Sequence, residues 1–275
     1  MDRETALLPA PKGRGVGFTV LTAVLAVAFT LFVAIPILAL LLYVPPSTLV
    51  ASFSDPVVTD AIRLSLTTST AATLIVIAFG MPLAFLNTRT RYPGRDLVET
   101  LTDLPIVLPP AVAGLGLLLA FGRFGLVGQF LAPFGITIAF TTLAVVMAQT
   151  FVAAPFFLRQ ARTAFGEVDP AYEAAARSLG ASPAYVFRRI TVPLAAEGLV
   201  SGAIMTLARA LGEFGATIMF AGNIQGRTQT MPLAIYTALQ SDITASVALA
   251  VILLAISFGV IASVRALGRR ASRKL

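Results

Sequence analysis

Arg209 and Glu213 stand four residues apart in a stretch, 194–220, that is otherwise almost wholly apolar. On a helix that spacing puts a guanidinium and a carboxylate on one face, where each can neutralise the other in a low-dielectric setting. Ionisable groups in such a place mark a functional site by default, and what they offer is charge pairing and anion contact. The competing reading is a structural pair that fixes helix packing; in that case reversing both charges together should restore the stability lost in either single change. Counted at 1.5 Å per residue along an unbroken helix from Pro193, the pair lies roughly 24 to 30 Å in, towards the outer half of a bilayer. Most other chemistry is excluded, because the chain has no His and no Cys. Imidazole acid/base catalysis, a thiol nucleophile, a disulfide and a Cys or His metal site are all unavailable. A membrane-embedded enzyme would need Ser, Asp or Glu chemistry, and no convergent set of these falls at one depth.

Several other residues could line a polar path. Ser65, Thr67, Thr68, Ser69 and Thr70 form a hydroxyl-rich stretch, with Thr68 near its centre. Such hydroxyls equally bond their own backbone or hold helices together. Pro109, Pro110 and Asn223 could create irregular backbone of the kind that lines transporter cavities. Gly198 and Gly202, in a Gly-x-x-x-Gly frame, and Gly212 and Gly215 a few turns later, are expected to let neighbouring helices approach closely.

The elements that hold these residues are set by composition. Of 275 residues, 57% are hydrophobic and 12% charged, and the mean hydropathy is +0.89, whereas ordinary soluble chains carry about 25% charged residues. This is an integral membrane protein with the lipid bilayer as its solvent. Roughly 20 apolar residues are needed to cross the hydrocarbon core, and six stretches qualify, at 18–44, 64–86, 104–121, 136–158, 194–220 and 243–264. They are continuous rather than alternating, so the fold class is all-α and a β-barrel is excluded. The third begins among Pro105, Pro109 and Pro110, which predicts a broken or tilted start. The net charge of +7 does not indicate nucleic acid, because sixteen of the twenty Lys and Arg lie in the two tails and in the second and fourth connections, between apolar runs. Basic residues are retained on the cytoplasmic side, so both termini are expected there. One membrane domain over 1–275 is the simplest division, with tails at 1–17 and 265–275 and a long cytoplasmic connection at 159–193.

That connection carries its own folding signals. Asp169-Pro170 starts a helix, with an acceptor at the N-cap and a proline at the first helical position. Ala-rich sequence follows as far as Gly180, which can take the left-handed position beyond the helix end. Ser182-Pro183 repeats the start signal and opens a second helix through Tyr185, Phe187 and Arg188 to Pro193. The loop therefore reads as helix, sharp turn, helix, with a small-residue face suited to close approach by another protein.

From Glu173 to Pro193 this loop resembles the cytoplasmic signature loop of bacterial ABC importer permeases: a Glu-Ala-Ala, a glycine shortly after, then Ile-x-Leu-Pro. Here the sequence reads Glu173-Ala174-Ala175, Gly180 and Ile190-Thr191-Val192-Pro193. Counted back from Gly180, the family's glutamate falls at Ala174, one residue after Glu173. The resemblance implies a type I importer permease with six transmembrane helices, whose coupling helix, carrying Glu173, Ala174, Ala175, Gly180, Arg188, Ile190 and Pro193, docks into an ATP-hydrolysing subunit. The chain itself agrees with that division of labour. Its only lysines, Lys12 and Lys274, follow Pro11 and Arg273, so no Gly-Lys-Ser/Thr phosphate loop exists.

The fifth stretch, Gly212-Glu213-Phe214-Gly215 and onward through Asn223, with Thr230 to Tyr236 and the third stretch from Leu104 to Gly114, is similar to permeases for tetrahedral oxyanions and most like those for molybdate. What this implies is a chain that binds no cofactor, pairs with a second copy, carries two ATPase subunits that hold ATP and magnesium, and receives molybdate from a periplasmic or lipid-anchored binding protein. Arg209, Glu213, Thr68, Pro109, Pro110 and Asn223 are then the candidates for the translocation path. Sulfate, thiosulfate or tungstate are the alternatives within the class. A secondary anion transporter is the alternative outside it, but that would need a free ion-coupling carboxylate, and Glu213 has Arg209 beside it.

Overall fold

A computed structural model describes residues 16–272, with side chains described over 17–262. No strand occurs among the described residues. The chain divides into two units at Pro45. The first holds one helix, α1 (Val16–Tyr43), whose 28 mostly apolar residues reach about 42 Å at the helical rise, enough to cross a bilayer.

The second unit holds the remaining elements in order: α2 (Pro46–Ser52), α3 (Pro56–Arg89), α4 (Arg95–Val107), α5 (Pro110–Phe121), α6 (Gly128–Leu131), a 3₁₀ turn (Ala132–Phe134), α7 (Thr142–Glu167), α8 (Pro170–Ser178), α9 (Pro183–Val186), a π turn (Phe187–Thr191), α10 (Val192–Leu194), α11 (Ala196–Leu211), α12 (Gly215–Ala221), α13 (Met231–Leu239) and α14 (Ile243–Ser272). Four helices, α1, α3, α7 and α14, are each long and apolar enough to span a membrane, and two bent pairs raise the number to six. The tail expected at 265–275 continues α14 as far as Ser272, while residues 1–15 and 273–275 lie outside those described.

Two of the six expected stretches, the fourth and the fifth, are corrected, and the third is broken at its prolines as expected. The third is not one straight helix: α4 and α5 meet at 119° across Leu108 and Pro109. Pro109 and Pro110 cannot donate backbone hydrogen bonds, so the helix stops at Leu108 and restarts with Pro110 in the first position. The fifth is also broken: α10 bends into α11 by 75°, and a second break at Gly212–Phe214 separates α11 from α12. The depth of Arg209 counted from Pro193 along a straight helix therefore does not hold. The fourth stretch starts at Thr142 and continues to Glu167, so Arg159 and Arg162 belong to α7 and not to the connection. Both were read as loop residues because of their charge, but that charge is paired. Arg162 contacts Asp103 at 3.0 Å and Glu99 at 3.5 Å, and Arg159 contacts Asp103 at 3.2 Å, which ties α7 to the acidic face of α4.

α7 is the central element. Its Phe157, Leu158, Ala161, Ala164 and Phe165 are buried against α3 and α11, while Ala144, Val145, Ala148 and Val152 pack with α5 and α12. Close approach depends on glycine where the sequence proposed it, with one exception. A Cβ on Gly198 would sit 2.5 Å from the Ala164 Cβ, and one on Gly202 3.0 Å from the Gln160 Cβ. One on Gly215 would sit 2.8 Å from the Pro110 Cβ. Gly212 is the exception and the correction. It is exposed and the nearest atom to its missing Cβ is the Ala208 carbonyl one turn back, at 3.7 Å. It belongs to the helix break, not to a packing face.

Candidate functional site

The connection between α7 and α11 begins at Val168, and it folds as the local signals dictate. Asp169 Oδ1 accepts from the Ala171 amide at 2.8 Å and caps α8; Ser182 Oγ accepts from the Tyr185 amide at 3.3 Å and caps α9. Gly180 has φ +87°. The Ala181 amide donates to the Ala176 carbonyl and the Gly180 amide to the Arg177 carbonyl, the paired bonds of a Schellman ending, which needs a left-handed residue where Gly180 stands. Nothing lies within 4 Å of a Cβ built there. The turn is free of its own chain and points outward.

What fastens this loop to the helices was not visible in its own sequence. Glu173 is buried. Its Oε1 accepts from Arg89 Nε at 3.0 Å and from Thr191 Oγ1 at 3.0 Å, and Arg89 also donates to the Val168 carbonyl at 2.8 Å. One carboxylate thus joins the end of α3, the start of α8 and the π turn. Arg177, at 3.8 Å and largely exposed, adds little. Phe187 packs against Phe85 of α3, with ring centroids 4.8 Å apart, and Phe85 against Phe165 of α7 at 5.6 Å, both edge-on. The loop is a rigid extension of α3 and α7. Of the residues proposed for docking, Ala174, Ala175, Gly180 and Arg188 are exposed, Ile190 and Pro193 are half-buried, and Glu173 faces inward as the clamp.

Glu173→Ala should therefore release the loop while leaving the helices in place, since Arg89 keeps only one acceptor. The expected loss is about 3 kcal/mol of loop stability. It would be seen as faster trypsin cleavage at the exposed Arg188 and Arg189 in purified protein, with Glu173→Gln intermediate. Unchanged cleavage would refute the clamp.

The second arrangement lies at the two helix breaks, which touch. Pro110 and Ala111 lie against Gly215, and a Cβ on Gly114 would come within 2.6 Å of the Ala216 carbonyl, so α5 and α12 cross backbone to backbone. Gly114 is as necessary here as Gly215, and only its setting among prolines hinted at it. Arg209 is in the last turn of α11, but Glu213 lies beyond the helix end at Leu211, so the two do not share a continuous helical face. They pair all the same: Arg209 Nη2 lies 2.7 Å from Glu213 Oε2, in an ion contact without the angle of a directed hydrogen bond. Glu213 Oε1 meanwhile accepts from the Ala216 amide at 2.7 Å. The carboxylate bridges the break, holding the cation that ends α11 and an orphan donor that starts α12. Its side chain is 1% exposed, that of Arg209 27%.

Thr68 and Asn223 are not gathered with this pair. Thr68 is buried and donates to the Leu64 carbonyl at 2.8 Å, and Thr67 to the Arg63 carbonyl at 2.8 Å. Ser65 Oγ accepts from the Met231 amide at 2.7 Å and joins α3 to α13. Here the hydroxyls serve backbone and packing. Asn223 follows α12, about 10 Å of helix beyond Gly215, and its Nδ2 donates to Thr237 Oγ1 at 2.8 Å. Pro109 and Pro110 do lie at the junction.

Comparison with known proteins agrees with this architecture over nearly its whole length. A family model described as "Binding-protein-dependent transport system inner membrane component" matches residues 77–273. The molybdenum transport system permease protein ModB of Mycobacterium tuberculosis is 43% identical over 241 residues, covering 88% of this chain and 91% of that protein. The sulfate transport system permease protein CysT of Salmonella typhimurium is 38% identical over 223 residues, 81% of this chain and 80% of that one. Among solved structures, a chain of a bacterial alginate ABC transporter, in complex with a periplasmic protein bound to an alginate pentasaccharide, superposes with a TM-score of 0.74 at 18% identity, covering 92% of this chain and 94% of that one. Six hydrophobic segments with two broken spans, a clamped helix-turn-helix loop and an extended match to one family lead to the same place: the chain is a multi-pass membrane protein of the binding-protein-dependent transport system inner-membrane component family.

Proposed function

We propose that this chain is the permease subunit of an ATP-driven importer for molybdate. The observation that carries the substrate is the 43% identity to a molybdenum permease across 88% of the chain, which takes in the junction of α5, α11 and α12. Two copies form the path between them. The loop from Pro170 to Pro193 docks on a separate ATPase subunit, which holds ATP and magnesium, and a periplasmic or lipid-anchored protein delivers the oxyanion. The loop geometry supports the docking role: exposed Tyr172, Leu179 and Tyr185 surround small Ala174 and Ala175 on a platform that Glu173 and Phe187 anchor to α3 and α7. A push on the platform is transmitted to the helices rather than absorbed. Both tails are rich in Lys and Arg, which are retained on the cytoplasmic side, so the termini face the cytoplasm.

Sulfate is the second reading, favoured by the 38% identity to a sulfate permease. The two are separated by uptake of labelled molybdate in cells lacking the gene and in the same cells with it restored, with sulfate in excess as competitor. Loss on deletion, recovery on complementation and little competition by sulfate are expected. Unchanged molybdate uptake with impaired sulfate uptake would transfer the assignment to sulfate.

A further inference from the structure

Among the described residues, five side chains bury polar atoms that meet no hydrogen-bond partner: Gln149 at both ends of its amide, Thr150, Thr217 and Thr230 at their hydroxyls, and Glu213 at Oε2. All but Thr230 gather at the break between α11 and α12. The register of the helices places them there. Gly198 of α11 faces Ala164 of α7, and Gly202 faces Gln160, so the two helices run antiparallel with four residues of one matched by four of the other. Carried on, that register brings Gln149 level with Glu213. The face of α7 that meets α11 runs from Gln160 through Phe157 and Ala153, at steps of three and four, to Gln149 and Thr150. Thr217 follows Glu213 by four residues, on α12, which packs against Val145 and Ala148 of the same part of α7.

Buried hydroxyls elsewhere in the bundle are satisfied by their own helices. Thr73 Oγ1 donates to the Ser69 carbonyl at 2.8 Å and Thr206 Oγ1 to the Gly202 carbonyl at 2.9 Å, each four residues back. Thr217 has no such recourse, because the carbonyl four residues back is that of Glu213, before α12 begins. The interruption of the helix leaves that hydroxyl spare.

Gln149 is the costliest member of the set. It is 1% exposed, and neither its donors nor its acceptor is engaged by the chain. Methionine has nearly the same shape and would fill the site without an unpaired polar group. Buried groups of this kind are rare in folded proteins, and each calls for a reason. A molecule that changes arrangement needs contacts that differ between its states, and complementary partners stand at one depth here. Glu213 Oε2 is an acceptor without a directed bond, Gln149 Nε2 a donor, Gln149 Oε1 a second acceptor and Thr217 Oγ1 a second donor. They belong to α7 and to the two sides of a helix break, the place where α12 can shift without breaking helical bonds.

We propose that Gln149 is a positioning residue for transport, which holds α12 in a second arrangement by donating from Nε2 to Glu213 Oε2 and accepting at Oε1 from Thr217 Oγ1. The proposal rests on the importer reading above. It is tested with Gln149→Met, Thr217→Val and the two combined, by heat inactivation of the purified permease complex and by uptake of labelled molybdate in cells. Gln149→Met should raise the temperature of half-inactivation by about 3 °C, because it relieves an unpaired amide in the resting arrangement. The same variant should lower uptake roughly fivefold, because the second arrangement loses its latch. Thr217→Val should also lower uptake, and the combined variant should transport no worse than Gln149→Met alone, since both changes remove one shared contact. A fall in heat stability with Gln149→Met overturns the proposal by showing that the amide is already bonded at rest. Wild-type uptake in that variant overturns it too, and so do losses that multiply in the combined variant. Molybdate uptake that does not depend on the wild-type gene fails the importer reading instead, and the heat-stability shift, which needs no substrate, still decides whether the amide is unpaired at rest.

Discussion

Glu213→Ala lowers stability by about 3–5 kcal/mol, the range for leaving one member of a buried ion pair without its partner, and takes transport with it. The reason lies in the two bonds of one carboxylate. Oε2 neutralises Arg209 at 2.7 Å, and Oε1 holds the Ala216 amide at 2.7 Å. Alanine leaves a cation and an N–H group without partners at a break where α11 and α12 have no continuous hydrogen bonding. Exchanging the charges, Arg209→Glu with Glu213→Arg, is expected to fail as a rescue. An arginine at 213 cannot accept from Ala216, so the pair is not symmetrical as its spacing alone implies. Arg209→Met with Glu213→Gln should recover most of the stability, because glutamine still accepts from that amide while neither charge remains. Monodispersity and heat inactivation of purified protein measure the fold, and labelled oxyanion uptake measures the function. Wild-type stability in the exchanged variant would show that the amide bond contributes nothing. Recovery of stability without uptake in the uncharged variant would give Arg209 a direct part in transport, the expectation for a guanidinium 27% exposed on a membrane-spanning element, where lipid contact would be costly.

The residues that were legible in sequence are those whose instructions are local. Asp169-Pro170, Gly180 and Ser182-Pro183 specify caps and a left-handed turn through backbone chemistry within a few positions, and each forms as read. The proline-rich start of the third stretch likewise announced its break. Illegible were the features that need a distant partner. Arg89 is 84 positions from Glu173, so nothing near the loop revealed its clamp. Arg159 and Arg162 read as a loop because hydropathy counts charge without seeing that Asp103 and Glu99 cancel it. The break after Leu211 was missed for a subtler reason. Glycine is common in membrane helices and Glu213 is at helical spacing from Arg209, so the pattern suits a continuous helix as well as an interrupted one. What decides between them is Pro110 and Ala111, which occupy the space beside Gly215.

Gly180→Trp abolishes uptake while the protein remains folded and inserted, because the turn fails only when it meets its partner. Within the chain the substitution is cheap. No atom lies within 4 Å of the added Cβ, so the indole has room, and the left-handed backbone at φ +87° costs about 1–2 kcal/mol with any ordinary side chain. Gly180→Ala carries nearly the same backbone cost and almost none of the bulk, so it separates strain from obstruction. With a docked ATPase, alanine should retain most of the uptake and tryptophan almost none, and only tryptophan should reduce ATPase copurification. Equal loss in both variants would place the defect in the Schellman turn itself, with the partner not involved. Wild-type uptake and retained ATPase in the tryptophan variant would remove the turn from the docking surface and leave Tyr172, Leu179 and Tyr185 on the flanking helices as the contacts to test. The force of the experiment comes from the clamp beneath. With Glu173 and Phe187 holding the platform to α3 and α7, a side chain at its tip cannot be accommodated by the loop swinging aside, and obstruction at the tip becomes separation from the motor.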